Sequence, residues 1–215
     1  NKKMKAYFVR HGESEQNAVE AFQHDANQLS ARGKEQAGFL AERFKKISVS
    51  VIIASPLERA KQTAEVISHA IDIPIQYSPI FRERKRPSEI HGKSLQDPEA
   101  LRIHRLLLEN FTKGGWKYSD EEMFSELKER AEEVIQFIEG FEGKDVLVVT
   151  HGVITLMILA RMMFGNTLTA EESEKLRKFC VVENTGITLC ERKVWWGDND
   201  PWWRLVTWND HAHLG

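Results

Sequence analysis

Four short apolar runs punctuate the chain: Ala6 to Val9, Val49 to Ala54, Ile73 to Tyr77 and Val146 to Val149. They are rich in β-branched and aromatic residues and mostly continuous rather than alternating, the pattern of strands buried on both faces, so they predict a parallel sheet. Between them the apolar positions recur at helical spacing. Ser30 to Lys46 places Ala37, Leu40, Ala41 and Phe44 on one face, and Leu57 to Ala70, Phe124 to Phe141 and Val153 to Phe164 read the same way. Strand then helix, repeated, predicts an α/β fold of three layers, a mostly parallel sheet flanked by helices.

The stretch from about Ser88 to Ser119 breaks this rhythm. Pro98 to Phe111 has a helical pattern carrying Arg102, His104 and Arg105, then meets the breaker Lys113-Gly114-Gly115 with no strand after it. Residues 88–119 are therefore expected to be a helical insertion after the third strand. Ile187 to Glu191 and Leu205 to Trp208 predict two more strands, joined through the turn-rich Trp195 to Pro201. The most apolar window, Val146 to Phe164, is interrupted by Thr150-His151-Gly152 and Arg161 before it reaches the ~20 apolar residues of a membrane span. It divides into a strand and a helix. No repeat or linker is visible, so the 215 residues are expected to form a single domain, 1–215.

Composition narrows the functional classes. The 13 Gly and 6 Pro fall below average usage, and 30 basic residues balance 32 acidic ones for a net charge of −2, which excludes collagen-like, low-complexity and disordered chains. That charge offers no bulk attraction for nucleic acid or an anionic membrane, and neither is expected as a partner. The two cysteines, Cys180 and Cys190, make no disulfide framework, and no CxxC or Cys/His cluster is present to hold zinc. Asn1 to Lys5 leads straight into a strand candidate, without the apolar core of a signal peptide, so a reduced, cytoplasmic setting is expected. The pattern sets no oligomeric state.

Candidate chemistry gathers at strand ends. Tyr7-Phe8-Val9 runs into Arg10-His11-Gly12, Leu147-Val148-Val149 into Thr150-His151-Gly152, and Ile53-Ala54 into Ser55-Pro56, with Arg59 one turn into the next helix. In an open parallel sheet the carboxyl ends of strands share one edge, where ligands bind. Two His and two Arg are therefore expected to converge. A guanidinium stays charged and its donors need acceptors, so such a cluster suits an anion, and phosphate best matches the forked donors. A lone strand-end His would more simply be structural. His211 and His213 form a terminal HxH without other ligands nearby in sequence, and the five Trp between Trp195 and Trp208 read as packing against the sheet edge.

Several motifs in the same order along the chain resemble the histidine phosphatase superfamily, the phosphoglycerate mutase-like group. They are Arg10-His11-Gly12-Glu13-Ser14 with Asn17, Leu29-Ser30 with Gly33 and Gln36-Ala37, Ala54-Ser55-Pro56-Leu57 with Arg59-Ala60 and Gln62-Thr63-Ala64, and Thr150-His151-Gly152. Asn184-Thr185-Gly186 and Asn209 to Leu214 resemble the family's last strands. The resemblance implies that His11 is the nucleophile of a phosphohistidine mechanism. It implies that Arg10, Arg59 and His151 hold the phosphoryl oxygens, that Asn17 assists, and that Gln23 and Gly152 touch substrate. Neither metal nor cofactor is implied, because phosphoryl transfer needs positioning and charge stabilisation, which a ring of cations supplies.

The resemblance also implies a carboxylic acid after the third strand, and Glu83 in Phe81-Arg82-Glu83-Arg84 is the best positional match. Family members commonly continue with Gly and then Trp-Glu-Gly; here Arg84 to Gly92 departs from that pattern and leaves Glu89 a second candidate. Arg82, Arg84, Lys85 and Arg86 read either as a solvated basic loop or as a rim for a second anionic group. The leading expectation is a metal-independent phosphomonoesterase acting on a small phosphorylated metabolite. The alternatives are a phosphoglycerate mutase, whose usual additional segment after the acid is missing here, and a non-catalytic module that holds phosphorylated ligands.

Overall fold

A computed structural model describes residues 3–215 of the chain. The strands are β1 (Met4–Arg10), β2 (Val51–Ala54), β3 (Ile75–Tyr77), β4 (Val146–Thr150), β5 (Ile187–Val194) and β6 (Pro201–Asp210). They form one sheet in the order β3-β2-β4-β1-β5-β6. Pairing is parallel from β3 through β1 and antiparallel for β1–β5 and β5–β6. The helices are α1 (Glu15–Ala18), α2 (Ala31–Phe44), α3 (Glu58–Ile71), α4 (Pro98–Asn110), α5 (Phe124–Glu139), α6 (Gly152–Phe164) and α7 (Ala170–Phe179). This is the expected mostly parallel α/β architecture. Among the described residues, no helix is long and apolar enough to cross a membrane.

The alternation of side chains along a strand divides the core in two. Ala6, Phe8, Val146 and Val148 face a layer that includes Leu127, Ala131 and Val134 of α5 and Ile154 and Ile158 of α6. Tyr7, Val9, Leu147 and Val149 face Leu40 and Phe44 of α2 and Ala60, Ala64 and Ile67 of α3. The central strands carry apolar side chains to both sides, which is why their runs were continuous. A smaller cluster, Phe22 with Ile90, Ala100, Ile103 and Leu107, seats α4 against the loop before α2. Phe22 N–H donates to Lys93 O at 2.9 Å and Gly92 N–H to Phe22 O at 2.8 Å.

Several boundaries differ from the sequence expectation. Val49 and Ile73 lie outside β2 and β3, which start two residues later. The C-terminal hairpin is longer than expected, with Trp202 and Trp203 paired to Lys193 and Arg192, and Pro201 takes the first strand position, where a missing N–H is tolerated. Trp203 packs against the core and donates to Glu139 Oε1 at 2.9 Å, while Trp196 is fully exposed. The insertion is only partly helical. After a single turn at Ser88–Ile90 and α4, the chain to Met123 is irregular, with buried Glu121 accepting from the N–H groups of Tyr118 and Ser119 at 2.6 and 2.8 Å.

Helix α7 has no counterpart in the expected elements. It buries only Ala170 and Ser173, so its apolar periodicity is weak. Its start is nevertheless written in the sequence: Thr169 and Glu172 form a reciprocal capping box.

Candidate active site

Strands β1 and β4 are adjacent and parallel, so the residues that follow them leave the sheet together. His11 N–H donates to Thr150 O at 3.0 Å, and the His11 and His151 rings stand 5.0 Å apart, edge to face. His11 Nδ1 lies 2.7 Å from Gly12 O, a contact that requires a proton on Nδ1 and leaves the lone pair on Nε2. Arg59 Nε donates to that Nε2 at 3.1 Å, while its Nη1 donates to His24 O at 3.1 Å. Burial, then the Arg59 and Arg10 cations, hold the His11 imidazole well below its ordinary pKa. At neutral pH the ring is neutral, with its lone pair on Nε2 facing Arg59.

His151 is fully buried, and its Nε2 is 2.8 Å from Ser55 Oγ. Leu57 N–H donates to the same Oγ at 3.3 Å, so one hydroxyl holds both the ring and the start of α3. His151 Nδ1 has no protein partner among the described residues. Burial first, then Arg59, His11 and Arg10, hold this ring too well below its ordinary pKa.

The loop carrying His11 is fixed by close backbone packing. A Cβ on Gly12 would lie 2.5 Å from Gly33 O, and a Cβ on Gly33 would lie 1.9 Å from Glu13 O, so only glycines permit this approach. Thr63 Oγ1 accepts from Gly12 N–H at 3.1 Å and Gln36 Oε1 from Glu13 N–H at 2.8 Å. Asn184 Nδ2 donates to His11 O at 2.9 Å. None of Ser55, Thr63, Gln36 or Asn184 was assigned a role from sequence, although each lies within a quoted motif.

Above this floor opens a cavity of about 740 Å³ lined by Arg10, Asn17, Gln23, Arg59, Glu83 and Gly152, among others. Arg10 lies along Gly152 and donates from Nη1 to Val182 O at 2.6 Å. Burial lowers the Arg59 guanidinium to about 10, and neither arginine has a carboxylate within 4.0 Å among the described residues. Asn17 Oδ1 accepts from Ser14 Oγ at 2.9 Å, and Gln23 Nε2 donates to that hydroxyl at 3.1 Å. Glu83 is docked on the N-terminus of α6. Its carboxylate accepts from Val153 N–H and Ile154 N–H, both at 3.1 Å, and from Arg84 N–H at 2.8 Å. Glu89 is exposed and does not line the cavity.

A family model for the histidine phosphatase superfamily (branch 1) matches residues 6–211. The chain belongs to this superfamily. Its Arg10-His11-Gly12 loop, Arg59 and His151 are the elements the geometry brings together at the sheet edge. A probable phosphoglycerate mutase GpmB of an Enterobacter species is 34% identical over 178 residues, 81% of each chain. A protein of the same description from Salmonella arizonae is 31% identical over 219 residues, covering 98% of this chain and 95% of its own length.

The histidine phosphatase fold is seen again in solved structures. A putative alpha-ribazole-5'-P phosphatase of Escherichia coli superposes with a TM-score of 0.79 at 22% identity, covering 99% of this chain and 98% of that one. Phosphoserine phosphatase of Entamoeba histolytica, in complex with 3-phosphoglyceric acid, gives 0.76 at 23% identity over 98% and 99%. Membership of the superfamily supports phosphatase or mutase catalysis.

Among the described residues no group of three or more His, Cys, Asp and Glu is placed to hold a metal ion. The terminal pair is separately engaged: His213 Nε2 lies 3.0 Å from Thr185 Oγ1, and His211 Nδ1 lies 2.9 Å from Asn209 O.

Proposed function

We propose that the protein is a phosphomonoesterase that acts through a phosphohistidine on His11 and needs no metal. The observation that carries this reading is the neutral His11 Nε2, whose lone pair is held by Arg59, itself part of the lining of a cavity with a surplus of arginine. A phosphoryl group entering here takes over the Arg59 donors, with Arg10 and His151 as further partners of its oxygens. Nε2 then attacks phosphorus in line as the P–O bond to the leaving group breaks, and Glu83, which enters the step as the carboxylic acid, gives its proton to the departing oxygen. The resulting Glu83 carboxylate takes a proton from water, whose oxygen attacks phosphorus as the P–N bond breaks. His11 returns neutral, Glu83 is reprotonated and inorganic phosphate is released. The cations neutralise the charge on the equatorial oxygens throughout.

The test is mass spectrometry after quenching without acid during turnover. Acid-labile, base-stable phosphate is expected on His11, and His11→Ala should abolish both label and activity, with wild-type activity persisting in EDTA. Label on His151, or an active His11→Ala protein, would overturn the assignment.

The relatives named as mutases favour one further reading, in which the phosphohistidine passes its group to a hydroxyl of a phosphoglycerate instead of water. The two differ only in the acceptor. Incubation with 3-phosphoglycerate and its bisphosphate primer separates them, since the phosphatase reading expects inorganic phosphate to form faster than the isomeric phosphoglycerate.

A further inference from the structure

The acidic side chains around the cavity are all engaged. Asp25 pairs with Arg82, Asp120 with Lys85 at 2.9 Å, Glu126 with Lys117 at 2.7 Å and Glu122 with Arg130 at 2.6 Å. Glu83 and Glu121 accept from backbone N–H groups. Four arginines of the cavity then have no carboxylate within 4.0 Å among the described residues: Arg10, Arg59, Arg84 and Arg86. The first two flank the nucleophile. The other two have no task in the mechanism above.

Arg84 and Arg86 are held in place without acids. The Arg84 guanidinium lies 4.3 Å from the centre of the Phe111 ring and donates from Nε to Glu122 O at 3.0 Å, with no protein acceptor for its two Nη groups among the described residues. The Arg86 guanidinium lies 5.5 Å from the centre of the Phe22 ring, and its Nη1 is 3.3 Å from His104 Nδ1. Burial and the neighbouring Arg86 cation push Arg84 down to about 10, and His104 is held near 4, neutral, by burial and then by the Arg86 and Arg84 charges. Both arginines are mostly buried, unlike a solvated basic loop. A guanidinium in such a place needs an anion to offset lost hydration, and planar donors fixed over aromatic rings suit a carboxylate or phosphate.

We propose that Arg84 and Arg86 form a second anion subsite in this cavity, so that the substrate is a phosphomonoester bearing a further carboxylate or phosphate. The proposal rests on the phosphatase reading only for which end of the substrate reacts. The aromatic seats come from Phe22, in the loop before α2, and from Phe111 of the insertion, which gives those two segments a role in selectivity.

The test is calorimetric titration of the whole protein with ω-phosphonoalkanoates of graded length, each compared with the alkylphosphonate of equal length, and with propane-1,3-bisphosphonate as the arm for a second phosphate. At least one two-anion probe is expected to bind about tenfold or more tightly than its one-anion partner, the range of a charge-assisted hydrogen-bond pair. R84M/R86M should bring that ratio to about one. The carboxylate and bisphosphonate arms report which second anion is taken. A ratio near one throughout in the wild type, or a ratio that survives in the double variant, overturns the subsite. If the double variant does not fold, R86Q alone must still lower the ratio severalfold, and an unchanged ratio overturns the proposal. Turnover plays no part in this readout, so a protein that hydrolyses nothing but loses its ratio in the variant would sink the phosphatase reading and keep the subsite.

Discussion

Arg59 donates from Nε to His11 Nε2 across 3.1 Å, so a permanent cation sits on the one free lone pair of a buried imidazole. The contact fixes the ring and, with burial, keeps it unprotonated. Under the proposed phosphohistidine mechanism it also places the guanidinium where phosphoryl charge develops.

Replacing Arg59 with Met should therefore have two effects. kcat/KM should fall by about a hundredfold or more, as when a donor to a developing anion is lost. The acid limb of its pH profile should also move to higher pH, because one of the two cations that lower the His11 pKa is gone. A fall in rate with an unmoved acid limb would show that Arg59 does not act on the His11 proton.

Two glycines of α2 should respond to alanine with opposite signs. Gly33→Ala drives a Cβ to 1.9 Å from Glu13 O, backbone against backbone, and should cost about 3 kcal/mol or more together with the activity that depends on the His11 loop. Gly38 has nothing within 4 Å of its would-be Cβ, so Gly38→Ala should stabilise by about 0.5–1 kcal/mol through helix propensity. Urea midpoints of the two variants check both signs, and equal responses would contradict the packing argument.

This contrast marks how far the sequence could be read. Periodicity located the central strands because β1 and β4 are buried on both faces, and the strand-end motifs located His11, Arg59 and His151 because parallel strands bring their carboxyl ends together. It could not locate α7, whose stabilising features are a cap and ion pairs rather than an apolar stripe. Nor could spacing separate Glu83 from Glu89. The docking of Glu83 on the first N–H groups of α6, seventy residues later in the chain, and its place in the cavity lining distinguish them. Ser55, which holds the His151 ring, and Thr63, which holds the Gly12 N–H next to His11, are small polar residues whose roles depend on contacts from distant segments.

Stability should decline as pH falls from about 6.5 towards 4. His11 and His151 are held well below their ordinary pKa, and burial first of all brings His104 and His213 to about 4. In that window the unfolded chain takes up protons that the folded chain refuses, so the folded state loses ground as pH drops. The stabilisation is fully present above about 6.5. Urea midpoints at pH 7 and pH 5 test the sign; a flat or rising midpoint on acidification would rule out buried neutral histidines as the dominant titrating groups.

The acid offers the sharpest kinetic contrast. Glu83 lines the cavity with Arg10 and Arg59, whereas Glu89 is exposed outside it. An alkoxide leaves poorly and needs a proton, while p-nitrophenolate needs little help. Glu83→Gln should therefore slow alkyl phosphates about a hundredfold more than p-nitrophenyl phosphate, in the range of general acid catalysis. Glu89→Gln should leave that ratio near the wild-type value. Should Glu83→Gln slow both substrates equally, the side chain would be acting through position alone, by holding Arg84 and the start of α6, and the leaving oxygen would take its proton from another source.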